Sequence, residues 1–123
     1  MILVTSGWGF VCVYSTKHTK GQLRSFLTLY DVNGVMIREK ELPCGITAWS
    51  TFTTKSGFDY IIMATDTGKC YLFEAFYLDI GSPFYEGEAS IKAVHYSVDD
   101  NVAVVVFDLG KVGFIPVEYS TCC

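Results

Sequence analysis

Gly68-Lys69-Cys70-Tyr71-Leu72-Phe73-Glu74-Ala75 decides how this chain is read, because two other stretches echo it. Upstream stands Leu27-Thr28-Leu29-Tyr30-Asp31, and downstream Gly110-Lys111-Val112-Gly113-Phe114-Ile115-Pro116. With Leu29, Leu72 and Phe114 set in one column, the spacings are 43 and 42 residues. A self-similarity of that length matches one four-stranded propeller blade per repeat. The period argues for an architecture and a binding role. It names no reaction and no ligand.

Composition agrees with strands. Half of the 123 residues are apolar, and tyrosine, phenylalanine and valine outweigh the long helix formers. The net charge of −4 lacks the basic footprint of a general nucleic-acid binder, so nucleic acid is not an expected partner. Five cysteines, Cys12, Cys44, Cys70, Cys122 and Cys123, contain no C-x-x-C pair, and there are two histidines. Tetrahedral metal spacing is absent, so neither metal nor cofactor is expected, and reduced cytosolic thiols are favoured over a disulfide framework. Met1 leads directly into Ile2-Leu3-Val4 without a basic leader or cleavage site. No apolar run reaches the roughly 20 residues of a transmembrane helix, so a cytoplasmic location is expected.

Around the opening column the chain divides into three cycles. The first runs from a strand at Ile2 to Thr5, through the turn Ser6-Gly7-Trp8-Gly9, into Phe10 to Tyr14. Ser15 to Ser25 carries Lys17, His18, Lys20 and Arg24 without hydrophobic periodicity and is expected to be an exposed connection. Phe26 to Val32 and Val35 to Glu39 flank Asn33-Gly34, the sequence of a type I′ turn. The second cycle has strands at Ile46 to Phe52, Asp59 to Thr65 and Lys69 to Ala75. A connection from Phe76 to Gly81 leads to a weak strand at Pro83-Phe84-Tyr85-Glu86. The third has Ser90 to Ser97, Val102 to Phe107 and Lys111 to Glu118, and nothing matching Val35 to Glu39.

The reading is therefore a single all-β unit over 1–123, a partial ring of about three four-stranded antiparallel blades at 1–43, 44–88 and 89–123. Each cycle has an almost wholly apolar strand that must be covered on both faces, which one blade cannot do alone. Three blades fall short of the roughly four to eight that close a ring. The favoured expectation is the carboxy-terminal part of a longer protein; oligomerisation is the other route. The alternative is a stand-alone small closed β-barrel or sandwich binding an apolar ligand.

Leu29-Tyr30-Asp31 and Leu72-Phe73-Glu74 resemble the Leu-Trp-Asp ending of WD repeats, with an aromatic in place of tryptophan, while Phe114-Ile115-Pro116 has lost the acid. The Gly-His opening of a WD repeat is missing. Val4-Thr5-Ser6-Gly7-Trp8-Gly9-Phe10-Val11-Cys12-Val13-Tyr14, followed by Leu27 to Gly34, resembles the last blades of the propeller that follows the BEACH domain in BEACH-family proteins. That resemblance implies a cytoplasmic scaffold in vesicle or membrane traffic, with peripheral endomembrane association. Protein partners would be met through 15–25 and 76–85.

No catalytic residue is expected. Asp99-Asp100-Asn101 is ordinary turn chemistry. Alternation puts His95 on a face with Ile91 and Ala93, so it reads as a hydrogen-bonded histidine at a blade interface. Asp66 and Asp108 precede glycine in matching hairpins and are expected to bond to the turn backbone. Ser6-Gly7-Trp8-Gly9 is not a nucleophile elbow. Lys17, Lys20 and Arg24 could meet anionic lipid or an acidic partner, but a solvated loop is favoured. Cys122-Cys123 resembles a doubly prenylated tail, although the GTPase domain that carries such tails is missing.

Overall fold

The computed structural model describes residues 9–108 and 110–117, and the backbone course of 2–5. The expectations for 6–8, 109 and 118–123, including the cysteine pair at the end of the chain, lie outside the described residues.

Among the described residues eleven strands form three antiparallel sheets. Sheet 1 is β1 (Ile2–Thr5), β2 (Phe10–Thr19), β3 (Gln22–Asp31) and β4 (Met36–Leu42), paired in chain order. Sheet 2 is β5 (Ile46–Thr53), β6 (Asp59–Thr65), β7 (Lys69–Glu74) and the short β8 (Tyr85–Glu86). Sheet 3 holds β9 (Ile91–Ser97), β10 (Val102–Phe107) and β11 (Val112–Pro116). The first strands lie side by side, β1 against β5 and β5 against β9, so the sheets fan outward from them. This is the arrangement of three blades in a partial propeller. The sheets stay separate, which overturns the closed-barrel alternative.

The middle sheet shows why the blades need each other. In β6 the side chains alternate across the sheet: Ile61 and Met63 pack with Cys12, Leu27 and Leu29 of sheet 1. Ile62 and Ala64 pack with Val94, Ala103 and Val105 of sheet 3. Ile61 and Ile62 are both fully buried, so an uninterrupted apolar run is satisfied by two different neighbours. Polar ties accompany the packing. The Ile46 amide donates to the Tyr14 hydroxyl across sheets 1 and 2 at 3.3 Å, and Phe52 stacks on Tyr96 across sheets 2 and 3 with centroids 4.5 Å apart.

The repeat column holds its place. Leu29, Leu72 and Phe114 all sit on the third strand of their sheet, opposite Cys12, Ile62 and Val104 respectively. Their exposure diverges from 0% at Leu29 to 71% at Phe114. No sheet among the described residues covers the Phe114 face.

Two local expectations are corrected. The stretch 15–25 is no loop: β2 and β3 stay paired as far as Thr19 and Gln22. Both faces of this extension meet solvent, so it shows no apolar alternation; its pairing is supported by polar contacts instead. Arg24 forks onto Glu41, Lys17 lies 4.0 Å from Glu39, and the Lys17 ammonium sits 4.8 Å over the Phe26 ring. The two-residue turn with both residues at positive φ is Lys20-Gly21, at 53° and 76°. At Asn33-Gly34 only the glycine is left-handed, and the Gly34 amide donates to Asp31 O at 3.1 Å. That is a type I turn followed by a left-handed glycine. The same bond recurs as Gly68 to Thr65 at 3.1 Å and Gly110 to Phe107 at 3.0 Å, so the blades share a hairpin device as well as a period.

Ile61→Ala and Ile62→Ala should each cost about 2–5 kcal/mol in urea unfolding, since each opens a different inter-sheet core; a near-neutral result for either would mean that one face of β6 is free. Gly68→Ala should destabilise clearly more than Gly34→Ala. Both positions have φ near +80°, but a Cβ at Gly68 would strike the carbonyl oxygen of Gly87, whereas one at Gly34 enters open space. The same unfolding curves rank the two.

Candidate interaction surfaces

Most residues singled out in the sequence are engaged in structural work. His95 Nδ1 meets the Ser50 hydroxyl at 3.4 Å, joining β9 to β5, so it is a hydrogen-bonded histidine between blades. The face expected for it is wrong in one respect. A bulge between Val106 and Phe107 in the β9–β10 register breaks the alternation at Lys92, leaving Ile91 in the core with Val94 and Tyr96, while His95 stays exposed. Asp100 accepts from Ser97 at 3.0 Å and Asn101 from Tyr96 at 3.0 Å, which closes the 98–101 turn. Asp66 does not bond to its own turn; its carboxylate accepts the Gly45 amide at 3.3 Å and so ties down the link between β4 and β5. Cys12 and Cys70 are buried, and desolvation pushes both thiols up to about 12, which makes them unreactive. Among the described residues no cluster of His, Cys, Asp or Glu could hold a metal ion. Among the described residues no helix is long and apolar enough to cross a membrane.

The two segments expected to meet partners fall at opposite ends of the blades. The Lys20-Gly21 tip joins β2 to β3, whereas 76–85 follows β7 at the end shared with the β5–β6 turn. Nor is 76–85 a plain solvent loop. Leu78 turns at φ 51° and buries fully in the core between sheets 1 and 2.

Beside that segment lies a cleft of about 260 Å³, lined by Phe10, Phe58, Asp59, Glu74, Phe76 and Tyr77. Its parts come from three places in the chain. The start of β2 supplies Phe10, the β5–β6 turn and the start of β6 supply Phe58 and Asp59, and the end of β7 with the segment after it supplies Glu74, Phe76 and Tyr77. Phe76 packs edge-on against both Phe10 and Tyr77, at 5.7 and 5.2 Å. Phe58 and Tyr77 remain 49% and 57% exposed. Asp59 accepts the Thr53 hydroxyl at 2.8 Å. Glu74 is half-buried, and desolvation, then the nearby Asp59 charge, raise its pKa above the ordinary value. An aromatic wall with two carboxylates suits a cation. Sequence reading missed this site because no local motif links its parts.

The second surface is the outer face of sheet 3. Cross-strand register aligns Ala93 with Val106 and Val112, His95 with Val104 and Phe114, and Ser97 with Val102 and Pro116. Phe114 and Val112 are 71% and 53% exposed. The outer edge of β11 has no paired strand among the described residues, where sheets 1 and 2 place β4 and β8.

No protein-family model matches the chain, and no curated protein matches it in sequence. Similarity appears in solved structures. A chain from the Drosophila complex of Plexin A with Semaphorin 1b superposes with a TM-score of 0.57 at 14% identity, covering 93% of this chain and 39% of that one. The computationally designed Ika4 protein gives 0.52 at 12% identity, covering 89% of this chain and 81% of its own. At such identities the likeness concerns the fold alone.

A raised carboxyl pKa gives stability below the unfolded-state value that is lost as pH rises through the folded one. Glu74→Gln should therefore match the natural chain near pH 4 and become the more stable of the two toward pH 7; denaturant unfolding across that range should show the gap widening with pH.

Proposed function

We propose that this chain is a non-enzymatic protein–protein interaction module: blades of a WD-like propeller, similar to the carboxy-terminal blades of a BEACH-family protein, serving as a scaffold in vesicle or membrane traffic. The observation that carries the docking role is the exposed Val112 and Phe114 on the outer face of sheet 3, beside an edge of β11 that has no paired strand among the described residues. Monomeric proteins seldom leave such a contiguous apolar surface bare, and an open strand edge offers backbone donors and acceptors for an incoming strand. A further blade, whether of the same longer protein or of a partner, satisfies both needs together. The WD-like and BEACH parts of the reading rest on Leu29-Tyr30-Asp31, Leu72-Phe73-Glu74 and the segment from Val4 to Tyr14. The cytoplasmic setting and the peripheral endomembrane role follow from the same resemblance. The Lys20-Gly21 tip and 76–85 provide contacts at the two ends of the blades.

Sedimentation velocity over a range of concentrations tests the docking role. The natural chain should associate reversibly. Phe114→Lys with Val112→Lys, both changes on exposed side chains, should shift it toward monomer. A natural chain that stays monomeric at every concentration overturns the proposal. For the trafficking role, a fluorescent fusion should enrich on endomembranes in cells, and a diffuse signal would remove that part.

A further inference from the structure

We propose that the cleft between sheets 1 and 2 seats the guanidinium of an arginine side chain on a protein partner. This rests on the interaction-module reading and names the chemistry of one contact. Three observations point the same way. Aromatic rings from two sheets, with Phe58 and Tyr77 open to solvent, supply faces on which a planar cation can lie. Asp59 and Glu74 line the same cleft, and among the described residues neither takes part in an ion pair; the salt bridges there are Lys17–Glu39 and Arg24–Glu41. An incoming cation would therefore meet a Glu74 carboxylate whose charge is disfavoured by burial and then by the neighbouring Asp59.

The protein itself shows that these rings accept a guanidinium. Arg38 on β4 lies 4.9 Å from the centre of the Phe76 ring and 5.6 Å from that of Tyr77. Its Nε donates to the Phe76 carbonyl at 2.9 Å, and among the described residues no ion pair joins it to Asp59 or Glu74. Arginine suits the site better than lysine because its planar fork can stack on a ring and bond a carboxylate at once, whereas an ammonium acts as a compact, strongly hydrated charge. The acidic net charge of the chain favours the approach of a basic partner.

The test uses the full chain and three capped glycine peptides that differ in one central residue: arginine, lysine or citrulline. Binding is followed by NMR through the aromatic side-chain resonances of Phe58 and Tyr77. The arginine peptide should shift both saturably, and citrulline, similar in shape but uncharged, should bind at least about tenfold more weakly, a difference of about 1.4 kcal/mol. Lysine should fall between them. Asp59→Asn and Glu74→Gln should each weaken arginine binding by a similar factor, and Tyr77→Ala should reduce its preference over lysine. Equal binding of citrulline and arginine overturns the proposal, as does equal binding of lysine and arginine, or unchanged affinity in both carboxylate variants. Sedimentation of the same variants separates the two readings: association through sheet 3 should persist in Glu74→Gln, so failure at the cleft leaves the docking face standing.

Discussion

Everything in this structure depends on β6 being covered on both faces. Tyr60-Ile61-Ile62-Met63-Ala64 has no polar side to turn toward water, and a sheet containing it is insoluble unless something packs above and below. Sheet 1 supplies one cover and sheet 3 the other. The order of the chain makes this economical, because the covering sheets come immediately before and after the sheet they cover. A left-handed glycine closes one such hairpin in each sheet, between β3 and β4 in sheet 1, β6 and β7 in sheet 2, and β10 and β11 in sheet 3.

How much of this could be read from the sequence depended on whether the signal was local. The column Leu29, Leu72 and Phe114 exposed the repeat because third strands in successive sheets have matching cross-strand partners. The apolar run in β6 revealed two-sided cover for a similar reason. The extension of β2 and β3 was hidden, since a strand wet on both faces carries no alternation and its support comes from pairs such as Arg24 with Glu41, which are distant in sequence. Asn33-Gly34 misled by carrying the stronger turn signal, while the type I′ geometry falls on Lys20-Gly21, where lysine adopts an uncommon left-handed backbone. The cleft was invisible for a further reason: Phe10, Phe58 and Phe76 meet only once two sheets have taken up their register.

The two outer faces of the stack differ, and the difference bears on how the blades meet a partner. On sheet 1, register aligns Ser15, Phe26 and Glu41 in one row and Val13, Thr28 and Glu39 in the next. Lys17 and Arg24 reach over Phe26 while pairing with Glu39 and Glu41. Long charged side chains thus lay their methylene stems across the apolar part of that face and keep their charges in water. Thr28, buried in the same face, donates to Glu39 at 3.1 Å. These are the features by which a terminal repeat tolerates solvent.

Sheet 3 has no comparable device. Strands β10 and β11 present only valine, phenylalanine and proline in the aligned rows, β9 adds Ala93, His95 and Ser97, and Lys92 on β9 sits at the bulge. A face built this way gains by being covered, whereas covering sheet 1 would require desolvating two ion pairs, a change that often returns little net stability. The stack is therefore directional: its polar face is suited to water, and its other face leaves Val112 and Phe114 exposed. Among the described residues β11 also has no strand paired to its outer edge, whereas in sheet 2 β8 extends the edge and sheet 3 covers the face.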